Sequence, residues 1–255
     1  MESNDGPVYV YGVLRSMERP AITEQGVDAS TVGAVEHVGL AALKSPASAA
    51  MVAGPRDVRA HWRVLDQALQ HATVIPLRFG TVMESDEVVR DRLLRPNSER
   101  LNALLEQFAG LVQVGVTGRY DERLLLTQIV RGSPAIAALR EQLRGAPDGK
   151  GSHAQRIKLG ELVAAEVRRR GEDDAQTALA TLEPAAVAAT QELAPAGAPF
   201  KLAFLVDRDR PERFDRAVAN LRRRLGGRIA IRYVGPLPPY SFADVDLVSG
   251  DPAWA

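Results

Sequence analysis

The last third of the chain changes its hydrophobic period twice, and this alternation narrows the folds open to it more than any other feature. Residues 201–206, Lys201-Leu202-Ala203-Phe204-Leu205-Val206, form an apolar run of strand length. Pro211 then opens a helix in which Phe214, Ala217, Val218, Leu221 and Leu225 recur on one face, and Gly226-Gly227 ends it. Residues 228–234 alternate apolar and polar, which spells a second strand. The ending is β–α–β.

Upstream the pattern stays mixed. Residues 8–14 set Tyr9 and Tyr11 on one face of a strand and Val8 and Val10 on the other, so a central, buried strand is expected. Residues 33–40 predict a second strand running on towards Pro46, with His37 half-exposed in it. From Pro55 and Asp57 a helix is predicted, with Val58, Trp62, Leu65, Leu69 and Ala72 as its apolar stripe. His61 falls one position off that stripe and His71 near the helix end, where a structural role suffices. Residues 73–80 read as a strand whose Pro76 marks an edge or a bulge. Ser85 with the acids after it caps a helix, which breaks near residues 95–98 and is recapped by Ser98. The stripe Leu101, Leu104, Leu105 and Phe108 then runs to Gly110.

A domain boundary is placed at about 110. Beyond it residues 111–118 are a strand, 124–130 are ambiguous between helix and strand, and 133–143 are a helix. A loop at 145–151 leads into a largely helical stretch at 153–193, with breaks near Gly171 and Glu183-Pro184, and then a turn at 194–199. The β–α–β ending resembles half of a ferredoxin-like βαββαβ unit. The fold class expected is α+β with mainly antiparallel sheets. Two α+β domains are suggested, 1–110 and 111–255, the second holding the largely helical stretch around 153–193.

Composition removes several functions. The 255 residues balance 32 Lys+Arg against 32 Asp+Glu, so the basic footprint of a general nucleic-acid or anionic-membrane binder is missing. With no cysteine, disulfides, thiolate metal sites and cysteine nucleophiles are ruled out. Neither phosphate-cradling glycine motifs nor protease, lipase or calcium-loop signatures occur, and His61 and His71 do not share a helix face. The first seven residues are polar and acidic, unlike a secretory signal, and no apolar run reaches membrane-span length, so a cytoplasmic location is expected. Glu172-Asp173-Asp174 beside Arg168-Arg169-Arg170 reads as a solvated helix end, not a magnesium site. Neutrality is also uneven: residues 200–234 hold ten basic residues against four acids, including Arg222-Arg223-Arg224. Such a patch either pairs with its own acids on an exposed helix or meets an acidic partner.

Two segments stand apart from ordinary filler. Ile75-Pro76-Leu77-Arg78-Phe79-Gly80-Thr81 gathers a proline, an arginine and a glycine into one strand end. Gly235-Pro236-Leu237-Pro238-Pro239-Tyr240-Ser241-Phe242 joins three prolines to two aromatics; the prolines lack N–H donors and favour an extended, PPII-like run that Tyr240 and Phe242 anchor. Structural closure and a preorganised protein contact fit it equally. With His61 and the opening Tyr9-Val10-Tyr11-Gly12-Val13, these motifs in this order resemble the gas vesicle protein L/F family across essentially the whole chain. The chain departs from the family's pattern at Leu237, where members commonly carry tryptophan, and at Gln113-Val114, where they tend to carry Glu-Trp.

The resemblance implies an N-terminal α+β domain, a C-terminal modified ferredoxin-like domain with extra helices, and no enzymatic activity or cofactor. It implies an accessory or minor structural protein of gas vesicles that binds the small, hydrophobic, ribbed shell protein and other gas vesicle accessory proteins and assists nucleation or assembly of the shell. Candidate partner-binding residues are Pro76, Leu77, Arg78 and Phe79 at the expected edge, Arg222 and Arg223 in the basic patch, and Pro238, Pro239, Tyr240 and Phe242 in the closing segment. Neither nucleic acid nor membrane is among the expected partners. The alternative is a ferredoxin-like ligand-binding or regulatory module holding a small anion near Arg78 or residues 222–224.

Overall fold

The computed structural model describes residues 6–48, 54–144 and 150–243, with 150–152 given by backbone only. Residues 145–149 of the expected loop, the leading residues 1–5 and the tail acids Asp244, Asp246 and Asp251 lie outside these residues. Two antiparallel sheets carry the fold, so the α+β expectation holds. Contacts group residues 6–113, 207–209 and 235–243 into one unit and 114–206 and 210–234 into another. The closing residues, expected with the C-terminal part, thus group with the first unit.

The first unit's sheet comprises β1 (Val8–Arg15), β2 (Gly33–His37), β3 (Leu40–Pro46), β4 (Ile75–Pro76) and β5 (Val82–Met83). Its order is β2-β3-β1-β4, with β5 also on β1. β1 is the central, buried strand expected, because both of its faces are bulky and apolar. A bulge between Val10 and Gly12 shifts its alternation, so Tyr9, Tyr11 and Leu14 share one core cluster. Against them α1 (Pro55–Leu69) lays Val64, Leu65 and Ala68. α2 (Asp86–Val88) is capped by Ser85, whose hydroxyl accepts the Val88 N–H, and continues as a π-helical stretch Val89–Leu94 that packs on β2 and β3. α3 (Ser98–Gln107) follows the predicted break, with Leu101 and Leu105 buried.

Three local expectations need correction. Residues 33–46 are a hairpin, not one strand: Val38 (φ 41°) and Gly39 (φ 79°) form its two-residue connection. Positive φ at both positions is what a type I′ turn requires, but valine lacks the Asn-Gly signal that announces one. Val38 is 80% exposed, so it has little burial to lose. Val38→Asn is expected to raise unfolding free energy by about 1 kcal/mol, because a β-branched residue disfavours the left-handed region; urea melts of the two proteins check it. The strand expected at 73–80 contracts to Ile75–Pro76, with Pro76 on the edge strand β4. α1 is also turned by about one residue. Val58 and Trp62 stay 37% and 38% exposed, while His61, called off the stripe, is 1% exposed.

The second sheet follows as β6 (Leu111–Tyr120), α4 (Glu122–Gly132), α5 (Pro134–Arg144), α6 (Lys150–Leu182), β7 (Ala188–Gln191), β8 (Lys201–Asp207), α7 (Pro211–Leu225) and β9 (Ile229–Leu237). Its order, β7-β8-β6-β9, is second-third-first-fourth among its own strands, as in a ferredoxin-like βαββαβ unit, with three helices in the first crossover. The ambiguous residues 124–130 are helical, burying Leu125 and Ile129 against Ile136 of α5. α6 runs uninterrupted through Gly171, and the strand β7 stands where helix was expected. α7 buries the predicted face Phe214, Val218, Leu221 and Leu225, and the Phe214 ring lies 5.1 Å from that of Phe204.

Candidate functional site

The segments that carried the sequence motifs meet in the first unit around one buried histidine. α1 presents His61 to β1, whose Tyr9 hydroxyl lies 2.9 Å from His61 Nδ1. The same hydroxyl accepts the Gly80 N–H at 2.9 Å. On the other side His61 Nε2 is 2.7 Å from the Tyr240 hydroxyl. Because the Tyr9 oxygen already accepts from Gly80, its single proton goes to Nδ1, and His61 keeps its own proton on Nε2 to donate to Tyr240. Opening strand, α1, the 75–81 segment and the closing segment are thereby tied through one ring.

Aromatic packing surrounds this chain of hydrogen bonds. The Tyr11 ring stacks on His61 at 5.7 Å, and Phe79 meets it edge-on at 5.7 Å. Trp62 packs 5.0 Å from Tyr240. Gln113 clamps the closing segment further: its side-chain oxygen accepts the Ser241 N–H at 2.8 Å and its amide donates to the Ser241 hydroxyl at 3.0 Å. After Pro238 the backbone turns, with Tyr240 N donating to Pro238 O and Ala243 N to Pro239 O, so the expected extended run does not persist.

Burial pushes His61 down to about 4, holds the Tyr9 and Tyr240 hydroxyls well above the usual tyrosine range and raises that of Tyr11. Near pH 7 the histidine is neutral and each phenol keeps its proton. Such a network fixes a surface in place.

The predicted site residues separate accordingly. Pro76, Leu77, Pro238 and Pro239 are buried supports, Phe79, Tyr240 and Phe242 are half-buried, and Arg78 is exposed. The 76–79 and 238–242 groups come together at His61, whereas Arg222 and Arg223 are exposed on α7 in the second unit. Trp62 and Gln113 lie outside the contact residues expected from the sequence; Trp62 belongs to the expected apolar stripe of α1, and Gln113 sits in an alternating strand whose pattern says nothing about a distant clamp. The acidic cluster at 172–174 lies mid-helix, not at an end. Asp174 is buried, ion-paired with Arg228 and bonded by the Tyr120 hydroxyl, while Asp173 pairs with Arg169.

Among the described residues there is no group of three or more His, Asp or Glu placed to hold a metal ion, and no helix is long and apolar enough to cross a membrane. The architecture is therefore that of an α+β protein with two sheets, one ferredoxin-like, and a closing segment locked onto its N-terminal sheet. The chain belongs to the GvpL/GvpF family: the family model described as gas vesicle synthesis protein GvpL/GvpF matches residues 7–244. It is 32% identical to gas vesicle protein F of a Streptomyces species over 243 residues, 92% of this chain and 99% of that one. Gas vesicle protein F of a Nostoc species is 28% identical, covering 93% and 98%. The crystal structure of GvpF from an Anabaena species superposes with a TM-score of 0.78 at 27% identity, over 94% of this chain and 99% of that one. GvpF from Microcystis aeruginosa gives 0.74 at 25% identity over the same shares.

Proposed function

We propose that the chain is an accessory or minor structural protein of gas vesicle assembly, working in the cytoplasm and at the vesicle. It binds the small hydrophobic shell protein, together with other accessory proteins, and assists nucleation or growth of the shell. Its contribution is binding and not catalysis. Family membership supports the pathway. The observation that carries the contact is the aromatic patch of Trp62, Phe79 and Tyr240 beside exposed Arg78, held in place from beneath by His61. Preformed aromatic and arginine side chains are the residues that dominate protein interfaces, and little ordering is left to be done on binding. Phe242 extends this closing-segment surface, and Arg222 and Arg223 offer a second contact on the other unit. In this reading the two units are the N- and C-terminal domains, the first of them carrying the client surface.

Trp62→Ala is expected to weaken binding to purified shell protein by about tenfold or more, the loss of one interfacial anchor. Arg78→Glu should do the same without touching the core. Titration of labelled shell protein, with melting curves run alongside, measures both. Unchanged affinity in two folded variants contradicts the patch.

A further inference from the structure

A second feature of α1 lies outside this patch. Arg56, Arg59 and Arg63 occupy positions i, i+3 and i+7 on α1 and line one wall of a half-open cleft of about 570 Å³. Residues 25–29 form the facing wall, with Gly26, Asp28 and Ala29 lining it. We propose that this cleft binds an acidic peptide segment of a partner protein through carboxylate–guanidinium pairs.

Charge supports it. Among the described residues Arg56 and Arg59 have no ion-pair partner, and Arg63 is held only by Glu24 at 3.3 Å across an exposed pair. Of the two aspartates in the cleft, Asp57 is committed to the backbone: its oxygens accept the Gly54 and Asp28 N–H groups. Both aspartates keep their charge, so the three arginines of the lining stand against two carboxylates and leave it one net positive charge. Two unpaired guanidinium groups, with a third in a weak pair, form a fork suited to carboxylates.

The facing wall is strained and held. Asp28 and Ala29 both take φ of 54°, a left-handed conformation that costs non-glycine residues energy and concentrates at ligand sites. It persists because the Tyr11 hydroxyl accepts the Val27 N–H at 2.7 Å and Gly26 N donates to Ser30 O at 2.8 Å. Gly26 is required there, since a Cβ on it would stand 2.2 Å from the Tyr11 hydroxyl. A wall fixed in this way needs no ordering when a ligand arrives.

The arginine row selects the ligand's shape. Seven residues of helix separate Arg56 from Arg63, a rise of about 10 Å. Same-side side chains of an extended peptide recur every ~7 Å, so neighbouring acids reach successive arginines, whereas one phosphate spans a single gap.

The test is fluorescence anisotropy with labelled hexaglutamate, its hexaglutamine counterpart and inorganic tripolyphosphate as competitor. Hexaglutamate should bind and hexaglutamine should not. Arg59→Gln should weaken hexaglutamate about fivefold, Asp28→Asn should strengthen it about threefold, and Arg140→Gln on α5 should leave it unchanged. The opposite signs at Arg59 and Asp28 are effects that a merely structural role would not produce. Equal affinity across all variants, or binding of tripolyphosphate with none of hexaglutamate, overturns the proposal.

Discussion

Replacing Tyr9 by phenylalanine should lower the unfolding free energy by about 2–4 kcal/mol in urea melts. The substitution keeps the ring and its packing and removes one oxygen atom. That oxygen serves two partners, the Gly80 N–H and His61 Nδ1, and among the described residues neither has another. Each orphaned group costs about 1–3 kcal/mol, and the Gly80 side, only part-buried, sits at the lower end. Tyr240→Phe should cost less, about 1 kcal/mol, because its half-buried hydroxyl receives a single proton from Nε2. A Tyr9→Phe loss below that of Tyr240→Phe would contradict the double role of the Tyr9 oxygen. Against a total stability of about 5–15 kcal/mol the Tyr9 loss is a substantial fraction.

Acid should destabilise the fold through the same ring. His61 in the folded chain is pushed down to about 4, against an unfolded value of about 6.5. Its folded value being the lower one, the stabilising contribution is complete above pH ~6.5 and is lost as the pH falls towards ~4. The full effect is about 3 kcal/mol, with a slope approaching ~1.4 kcal/mol per pH unit inside that window. The cause is concrete: protonation turns Nδ1 into a donor facing the Tyr9 hydroxyl, whose own proton then has nowhere to go. A His61→Gln variant cannot titrate, so the difference between its pH–stability curve and that of the parent isolates the histidine from the carboxylates. Parallel curves between pH 6.5 and 4 would show that His61 is not the buried neutral group described.

These two effects also mark where sequence reading stops. The central strand β1, the helix α7 with its buried face, and the Ser85 cap were legible because one local pattern decides each. The 33–46 hairpin was not, since Val38-Gly39 carries no turn signature and the small residues on either side alternate weakly. His61 was misplaced because a polar side chain on a helix face reads as solvent-facing until its hydroxyl partners are known, and these lie 52 and 179 residues away. β7 hid because three of the four residues Ala188-Ala189-Thr190-Gln191 are helix formers and only Thr190 favours a strand. Of the candidate site, the motif segments were legible and their convergence was not. Four stretches far apart in sequence become one patch only through the sheet order that seats β4 and β5 on β1, and the closing segment's return to the first unit is a tertiary fact with no local signal.

Direct capture of the shell protein by this chain is the decisive measurement. The two should be co-expressed, the lysate cleared, and the chain purified by an affinity tag at low and high salt. A stoichiometric soluble complex is predicted, retained at high salt because the aromatic patch dominates and recovered in reduced yield with Trp62→Ala. Shell protein that pellets alone while the folded chain elutes without it would contradict the assembly role.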